Sequence, residues 1–242
     1  EQVLAAPYFN PAPVTPSDVK SLAIVGLAAG TTARQATAAY GPILIDGFEI
    51  DPKIVEVGRK YFDMNQPNLH VFVQDGRYGL AQSDNRYQVI SLDAYRPPYI
   101  PWHLTTVEFF QTVRDHLTDD GVVTINVGRA PNDRRLIEAL TSTMLTVFPT
   151  VHVMDVPDTF NSIVYATAQP TDISNLDANL MLLRADPTTH PLILRSVEIA
   201  MANLQPAPAA GPVFTDDKAA IEWLTNNLVL SYLFAGDLEL LQ

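Results

Sequence analysis

The chain has 242 residues, of which 47% are apolar and 17% charged, so it can bury a large core and global disorder is excluded. It contains no cysteine, which excludes disulfides and thiolate metal sites, and its net charge of −12 argues against a nucleic acid partner, because phosphate contacts need a basic surface. No run of about 18 apolar residues occurs, so the sequence predicts no membrane span in this chain.

Short apolar runs alternate with helical segments along most of the chain. The first 17 residues contain four prolines and no periodic pattern, which predicts an extended lead-in. The predicted strands are residues 21–26, 43–49, 69–73, 87–93, 122–127, 151–156 and 162–168. The predicted helices between them are residues 31–40, 52–62, 105–117 and a segment that Asn132 or Asp133 caps and that ends at residue 148.

This alternation predicts an α/β fold, because strand–helix–strand units form right-handed crossovers within a parallel sheet. The last two strands are separated only by residues 157–161, which favours an antiparallel hairpin. Five such units closed by a hairpin predict a Rossmann-like methyltransferase fold with a mostly parallel seven-stranded sheet. Helical segments at 186–205 and 216–234 follow, so three regions are expected: a lead-in (1–17), a nucleoside-binding domain (18–170) and a helical appendage (171–242).

Acidic residues follow three consecutive strands of the predicted sheet. Gly26 and Gly30 frame the turn after the first strand, and Glu49, Asp75 and Asp93 end the next three. Ligands of open α/β sheets bind at this edge, where a carboxylate can accept both ribose hydroxyls or an adenine amino group. Each acid alone fits a helix N-cap equally well. Together with the glycine turn, the three acids predict a nucleoside site.

The segment after the fourth strand is stiffened by prolines and rich in aromatic residues. It carries Tyr95, Tyr99, Trp102 and His103 before a helix that Thr105 or Thr106 caps. A rigid aromatic loop at a ligand-binding edge is typical of a lid, and aromatic rings also suit cations. The alternative is an ordinary connection whose aromatic rings pack on the domain.

These segments resemble the spermidine synthase (polyamine aminopropyltransferase) family. The resemblance rests on five motifs: the turn Gly26-Leu27-Ala28-Ala29-Gly30, the run Glu49-Ile50-Asp51-Pro52, the pair Asp75-Gly76, the run Asp93-Ala94-Tyr95-Arg96-Pro97, and the run Leu104-Thr105-Thr106-Val107-Glu108-Phe109-Phe110. The chain looks most like the membrane-fused bacterial branch, which implies a cytoplasmic domain of a membrane-anchored parent. The start at Glu1 instead of a methionine fits an excerpt from a longer protein.

The resemblance implies a reaction and a set of site residues. The nucleoside of decarboxylated S-adenosylmethionine, the co-substrate, would be bound by Gly26, Leu27, Gly30, Glu49, Asp75 and Gly76. Asp93 would be the proton acceptor when an amine takes the aminopropyl group and 5′-methylthioadenosine leaves. The acceptor side and lid would comprise Tyr95, Arg96, Tyr99, Trp102, Asn126 and Phe160.

The chain departs from the family pattern on the acceptor side. Ala29 and Arg96 stand where the family has acids, Asn126 replaces a glutamine, and Phe160 replaces a tyrosine. Because a cationic amine is attracted by carboxylates and repelled by a guanidinium, the sequence predicts weak aminopropyl transfer.

Two alternative functions stay open at this point. A transferase that uses intact S-adenosylmethionine, such as a methyltransferase, would explain Arg96 as a partner of the methionine carboxylate. A non-catalytic nucleoside-binding domain of a membrane protein would explain the missing acids. The expected partners are a small nucleoside, an amine and a second copy in a homodimer. No metal is expected, because the five histidines show no helical pairing with acids.

Overall fold

The computed structural model describes residues 2–94, 100–130, 133–219, 221 and 224. Strands and helices alternate as predicted. The strands are β1 (Ser21–Val25), β2 (Leu44–Glu49), β3 (Leu69–Val73), β4 (Tyr87–Leu92), β5 (Leu117–Gly128), β6 (Thr150–Asp155), β7 (Asn161–Thr167) and β8 (Leu204–Gln205). The α-helices are α1 (Thr31–Tyr40), α2 (Pro52–Tyr61), α3 (Gly76–Ala81), α4 (Val107–Asp115), α5 (Arg135–Met144), α6 (Ile173–Ala185) and α7 (Pro191–Ala202).

The described strands form one sheet in the order β3-β2-β1-β4-β5-β7-β6-β8. Strands β1 to β5 are parallel, while β7 runs antiparallel to both β5 and β6. The predicted α/β methyltransferase-like fold, with its terminal antiparallel hairpin, is therefore confirmed. An eighth strand was not predicted, because Leu204 and Gln205 pair with β6 over only two residues and carry no strand pattern of their own.

Two apolar layers cover the two faces of the sheet. Strand β1 is buried along its whole length, as expected of a central parallel strand. One face packs against Phe109 and Phe110 of α4. The other packs against Ala33 of α1 and Val197 of α7. Strand β3 lies at the edge of the sheet and is largely exposed, and its outer position leaves β1 and β4 in the centre.

The predicted extended conformation is wrong for Gln2–Phe9, which forms a 3-10 helix in which every residue from Leu4 to Phe9 is buried. The hydroxyl of Tyr40 donates to the carbonyl of Leu4 at 2.7 Å. The ring of Phe9 stacks on His152 with centroids 4.9 Å apart. Although the prolines conceal any periodicity, the side chains of this segment are apolar enough to be buried against the sheet.

Helices α6 and α7 contribute to the same core layer as β1, so they do not form a separate core. Asn179 of α6 is fully buried and donates to the carbonyls of Tyr8 and Asn10, both at 2.9 Å. The sequence had predicted one helix at 186–205, whereas the structure has α6, α7 and the short β8. The helix predicted at 216–234 lies mostly outside the described residues.

Candidate active site

A cavity of about 590 Å³ opens at the carboxyl ends of β1, β2 and β4. Its described lining includes four carboxylates, those of Glu49, Asp51, Asp75 and Asp93. Gly26 and Gly76, which were predicted to contact the nucleoside, also line it. The structure therefore brings together the acids that end three consecutive strands, because the carboxyl ends of parallel strands meet at one edge.

The glycine turn after β1 brings the backbone close to the cavity. Gly26 has a φ of +89°, and a Cβ there would lie 2.5 Å from the Cα of Ala94. Only glycine fits such a conformation and such a close approach. Gly30, with a φ of +78°, precedes α1 and packs against Met64, while the buried side chain of Leu27 packs against Gly47. Leu27 and Gly30 thus shape the turn but do not line the cavity.

Glu49 is a buried carboxylate that two backbone amides orient. Its Oε2 accepts from the N–H of Ala28 at 2.9 Å, and its Oε1 accepts from the N–H of Asp51 at 3.0 Å. Each carboxylate oxygen has a further lone pair, so both remain able to accept from a ligand. The glycine turn and the end of β2 are thereby tied together at the carboxylate.

Asp75 caps α3 and also lines the cavity, so its N-cap role and the predicted site role coexist. Its Oδ1 accepts from the N–H of Tyr78 at 3.0 Å, and its Oδ2 lies 2.9 Å from Nε2 of His103. Burial alone would raise the pKa of Asp75, but the backbone N–H groups of Tyr78 and Arg77, together with the side chain of His103, outweigh it and hold the pKa below its ordinary value. The next residue, Gly76, leaves no room for a side chain, because a Cβ would lie 2.4 Å from Val25.

Asp93 follows β4 and opens onto the cavity. Its Oδ1 accepts from Nδ2 of Asn126 at 3.1 Å. The side chain is accessible to solvent from the cavity, but the surrounding wall removes part of its hydration. This desolvation raises the pKa of Asp93 despite the opposing hydrogen bond from Asn126. A raised pKa is what a carboxyl group needs in order to act as a base near neutral pH.

Asn126 lies in β5, and together with Asp93 it lines a pocket of about 10 Å³, large enough for one water molecule. The pocket wall is otherwise apolar and includes Ile100, Leu104 and Ile125. Oδ1 of Asn126 is buried and has no hydrogen-bond partner among the described residues. Buried acceptors are normally paired, so a water molecule in this pocket is a suitable donor to Oδ1.

The other predicted acceptor-side residues are not brought to the cavity, or lie outside the described residues. Trp102 is 42% exposed and lies edge-on to His103 with centroids 5.8 Å apart. Phe160 packs near Ala130, and its carbonyl accepts from the N–H of Arg129 at 2.7 Å. Tyr95, Arg96 and Tyr99 lie outside the described residues.

His103 lines the cavity, and the sequence predicts it only as part of the candidate lid and not as a contact of Asp75. The sequence placed it in the candidate lid, but its contact with Asp75 joins residues 28 positions apart. The only signal in the sequence was its position directly after a proline-rich segment at the predicted ligand-binding edge.

No group of three or more histidine, cysteine or acidic residues able to hold a metal ion occurs among the described residues. Within the same part of the chain, none of the helices combines the length and the hydropathy needed to cross a bilayer.

Comparison with known proteins identifies relatives in one family. The model of the spermine/spermidine synthase domain matches residues 13–175. A protein of Bifidobacterium longum described as a probable polyamine aminopropyl transferase is 31% identical over 226 residues, which cover 88% of this chain and 50% of that protein. The chain thus spans about half the length of this relative.

Two solved structures share the fold. A spermidine synthase in complex with the transition-state analogue AdoDATO has a TM-score of 0.64 at 19% identity, over 84% of this chain and 68% of that one. Human methyltransferase-like protein 13 in complex with SAH also has a TM-score of 0.64, at 20% identity, over 86% of this chain and 92% of that one. With the family model matched over most of the sheet that carries Glu49, Asp75 and Asp93, the chain belongs to the spermine/spermidine synthase domain family.

Proposed function

We propose that this chain binds the nucleoside of decarboxylated S-adenosylmethionine and transfers its aminopropyl group to an amine, with Asp93 as the base. The observation that carries the proposal is the meeting of Glu49, Asp75 and Asp93 around one cavity. The family and the ligands of the two structural neighbours support it.

The cavity is suited to a cationic nucleoside. Glu49 is oriented by two backbone amides and can accept from both ribose hydroxyls, while Asp75 can accept from the adenine amino group. Four carboxylates in the described lining produce a negative potential, which attracts a sulfonium donor and an amine acceptor.

The chemistry requires a neutral amine next to the sulfonium. The amine nitrogen attacks the carbon beside the sulfur, a C–N bond forms, and the C–S bond breaks with its electrons moving to sulfur. The products are the aminopropylated amine and 5′-methylthioadenosine. The proton of the acceptor ammonium passes to Asp93, whose raised pKa favours this transfer. Positioning supplies the rest, because the sulfonium is already a good leaving group.

The expected strength of the activity rests on the sequence alone. Arg96 and Ala29 stand where the family has acids, so we expect weak transfer to diamines. The same Arg96 motivates the alternative donor, intact S-adenosylmethionine, whose carboxylate it could bind. The shared fold of human methyltransferase-like protein 13 is compatible with that donor.

Calorimetry with decarboxylated S-adenosylmethionine, intact S-adenosylmethionine and 5′-methylthioadenosine, combined with an assay for products, separates these functions. Tighter binding of the decarboxylated donor, with 5′-methylthioadenosine as a product, supports the proposal. Tighter binding of intact S-adenosylmethionine supports the alternative donor, and binding without turnover of either supports a non-catalytic domain. A chain that binds none of the three nucleosides would show that the assigned cavity is wrong.

Three further features implied by the resemblance stay predictions: a membrane-anchored parent, a cytoplasmic location and a homodimer. Fractionation of cells that express the full-length parent, followed by immunodetection of this domain, tests the first two. Light scattering of the purified chain tests the third.

A further inference from the structure

An arginine–aspartate pair lies next to the cavity without lining it. Nη1 and Nη2 of Arg77 donate to Oδ1 and Oδ2 of Asp216 at 2.8 and 2.7 Å, so the pair is bidentate. The two side chains are 25% and 37% exposed. Bidentate, partly buried pairs are geometrically specific and stronger than single exposed contacts. This pair joins residues 139 positions apart.

The pair is connected to Asp75 through His103. Nη1 of Arg77 also donates to the carbonyl of His103 at 3.1 Å. The side chain of His103 in turn binds Asp75 through Nε2. Since Asp75 and Arg77 are separated by a single residue at the start of α3, the three residues form a closed ring of contacts. Asp216 holds the guanidinium in the position that closes this ring.

Asp216 is itself fixed from two directions. Its Oδ1 accepts from the hydroxyl of Thr106 at 2.7 Å, and its backbone N–H donates to Glu108 at 3.0 Å. The segment that carries it, residues 211–218, is anchored by the buried Phe214, whose N–H donates to Thr143 and whose carbonyl accepts from the N–H of Val107. Asp216 is therefore an ordered partner for Arg77.

We propose that Arg77 and Asp216 are positioning residues that set the orientation of His103 and, through it, of Asp75. The inference rests on the proposed function, in which Asp75 accepts a hydrogen bond from the adenine amino group. Side chains that bind a ligand are held to the productive geometry by hydrogen bonds behind them. Without the pair, His103 loses the contact that fixes its backbone, and the Asp75 carboxylate gains orientational freedom.

The test measures the preference for the adenine nucleobase as well as the affinity for the nucleoside. The variants are Arg77→Met, Asp216→Asn and the double variant, and the probes are 5′-methylthioadenosine and 5′-methylthioinosine, which replaces the amino group by a carbonyl oxygen. The matched control is Arg184→Met. Arg184 of α6 donates to Glu198 of α7 through two nitrogens, and both side chains are exposed. Calorimetry gives the dissociation constants, and thermal unfolding gives Tm.

We expect each single variant to bind 5′-methylthioadenosine about tenfold more weakly and to lose most of its preference over 5′-methylthioinosine. The double variant should bind 5′-methylthioadenosine no more weakly than Arg77→Met, because both substitutions break the same contact between Arg77 and Asp216. The control should keep the affinity and the preference of the parent chain. A general loss of stability would weaken the binding of both nucleosides equally and would not change the ratio of their dissociation constants.

Two results would overturn the inference in distinguishable ways. A parent chain that prefers the adenosine probe, with variants that keep its full preference, refutes the role of the pair and leaves the proposed function intact. A parent chain that binds neither probe refutes the proposed function and, with it, the positioning role.

Discussion

Nδ2 of Asn126 donates to Oδ1 of Asp93 over 3.1 Å and so links the carboxyl ends of the neighbouring strands β4 and β5. The hydrogen bond stabilises the ionised form of Asp93, while desolvation by the cavity wall disfavours it and has the larger effect. Asp93 is thus oriented by a neighbour and still has a raised pKa. This combination suits a base that must accept a proton and release it again.

Asp93→Asn should abolish transfer while leaving nucleoside binding nearly intact. The amide cannot accept the amine proton, so we expect kcat to fall at least about 100-fold. The dissociation constant of 5′-methylthioadenosine should change by no more than a few-fold, because the carboxylate acts on the acceptor. The exposed Asp119→Asn, at the opposite end of β5, is the control. Equal loss of nucleoside binding would make Asp93 a ligand of the donor instead.

The pH dependence of kcat should report the raised pKa of Asp93. Transfer needs the ionised carboxylate, so kcat at saturating amine should fall on acidification with a midpoint above the ordinary value of 3.8. Removing the hydrogen bond with Asn126→Ala takes away a contribution that lowers this pKa. The midpoint should therefore move to higher pH in that variant. A midpoint unchanged by the substitution would contradict the assignment of Asp93 as the titrating group.

Glu49→Ala should weaken nucleoside binding by about 2–4 kcal/mol, because two ribose hydroxyls lose a charged acceptor. Glu49→Gln keeps one acceptor oxygen and should be weakened less. Calorimetry with 5′-methylthioadenosine measures both changes. Glu56→Gln, on the exposed face of α2, serves as the control. If Glu49→Ala binds as tightly as the parent chain, the ribose is bound elsewhere.

Gly26→Ala should destabilise the chain far more than Gly41→Ala, although both glycines have a positive φ. At Gly41 a Cβ meets nothing within 4 Å, so the cost is the backbone preference alone, about 1–3 kcal/mol. At Gly26 the Cβ would also lie 2.5 Å from backbone atoms of Ala94, so the cost should exceed that at Gly41 by about 1–3 kcal/mol. Urea unfolding measures both, and equal costs would show that this turn can relax.

His152 should make the chain less stable below about pH 6.5. Burial lowers its pKa from 6.5, so the unfolded chain binds a proton there before the folded chain does. The contribution of neutral, buried His152 to the free energy of unfolding is fully present above pH 6.5. It is lost as the pH falls toward the pKa of His152 in the folded chain. His152→Phe keeps the ring stacked on Phe9 and removes the titration, so its free energy of unfolding should vary less between about pH 6.5 and pH 5. An unchanged slope would assign the effect to other groups.

Local sequence patterns predict the alternating fold, which the structure confirms, and they place Glu49, Asp75 and Asp93 at the ends of strands. Apolar runs that end in glycine or an acid specify buried parallel strands. The common direction of these strands then brings Glu49, Asp75 and Asp93 to one edge whatever the details of packing. The division of the chain into a lead-in, a domain and an appendage stays a prediction, as do the roles of the site residues.

Contacts between distant segments place the residues that lie behind that edge. The contact of His103 with Asp75 and that of Arg77 with Asp216 join positions 28 and 139 residues apart, and no local pattern encodes such distances. The 3-10 helix Gln2–Phe9 has no helical periodicity, and it is ordered because its apolar side chains are buried between α7 and the sheet. Local propensity specifies elements, whereas burial and hydrogen bonding between distant segments decide which elements meet.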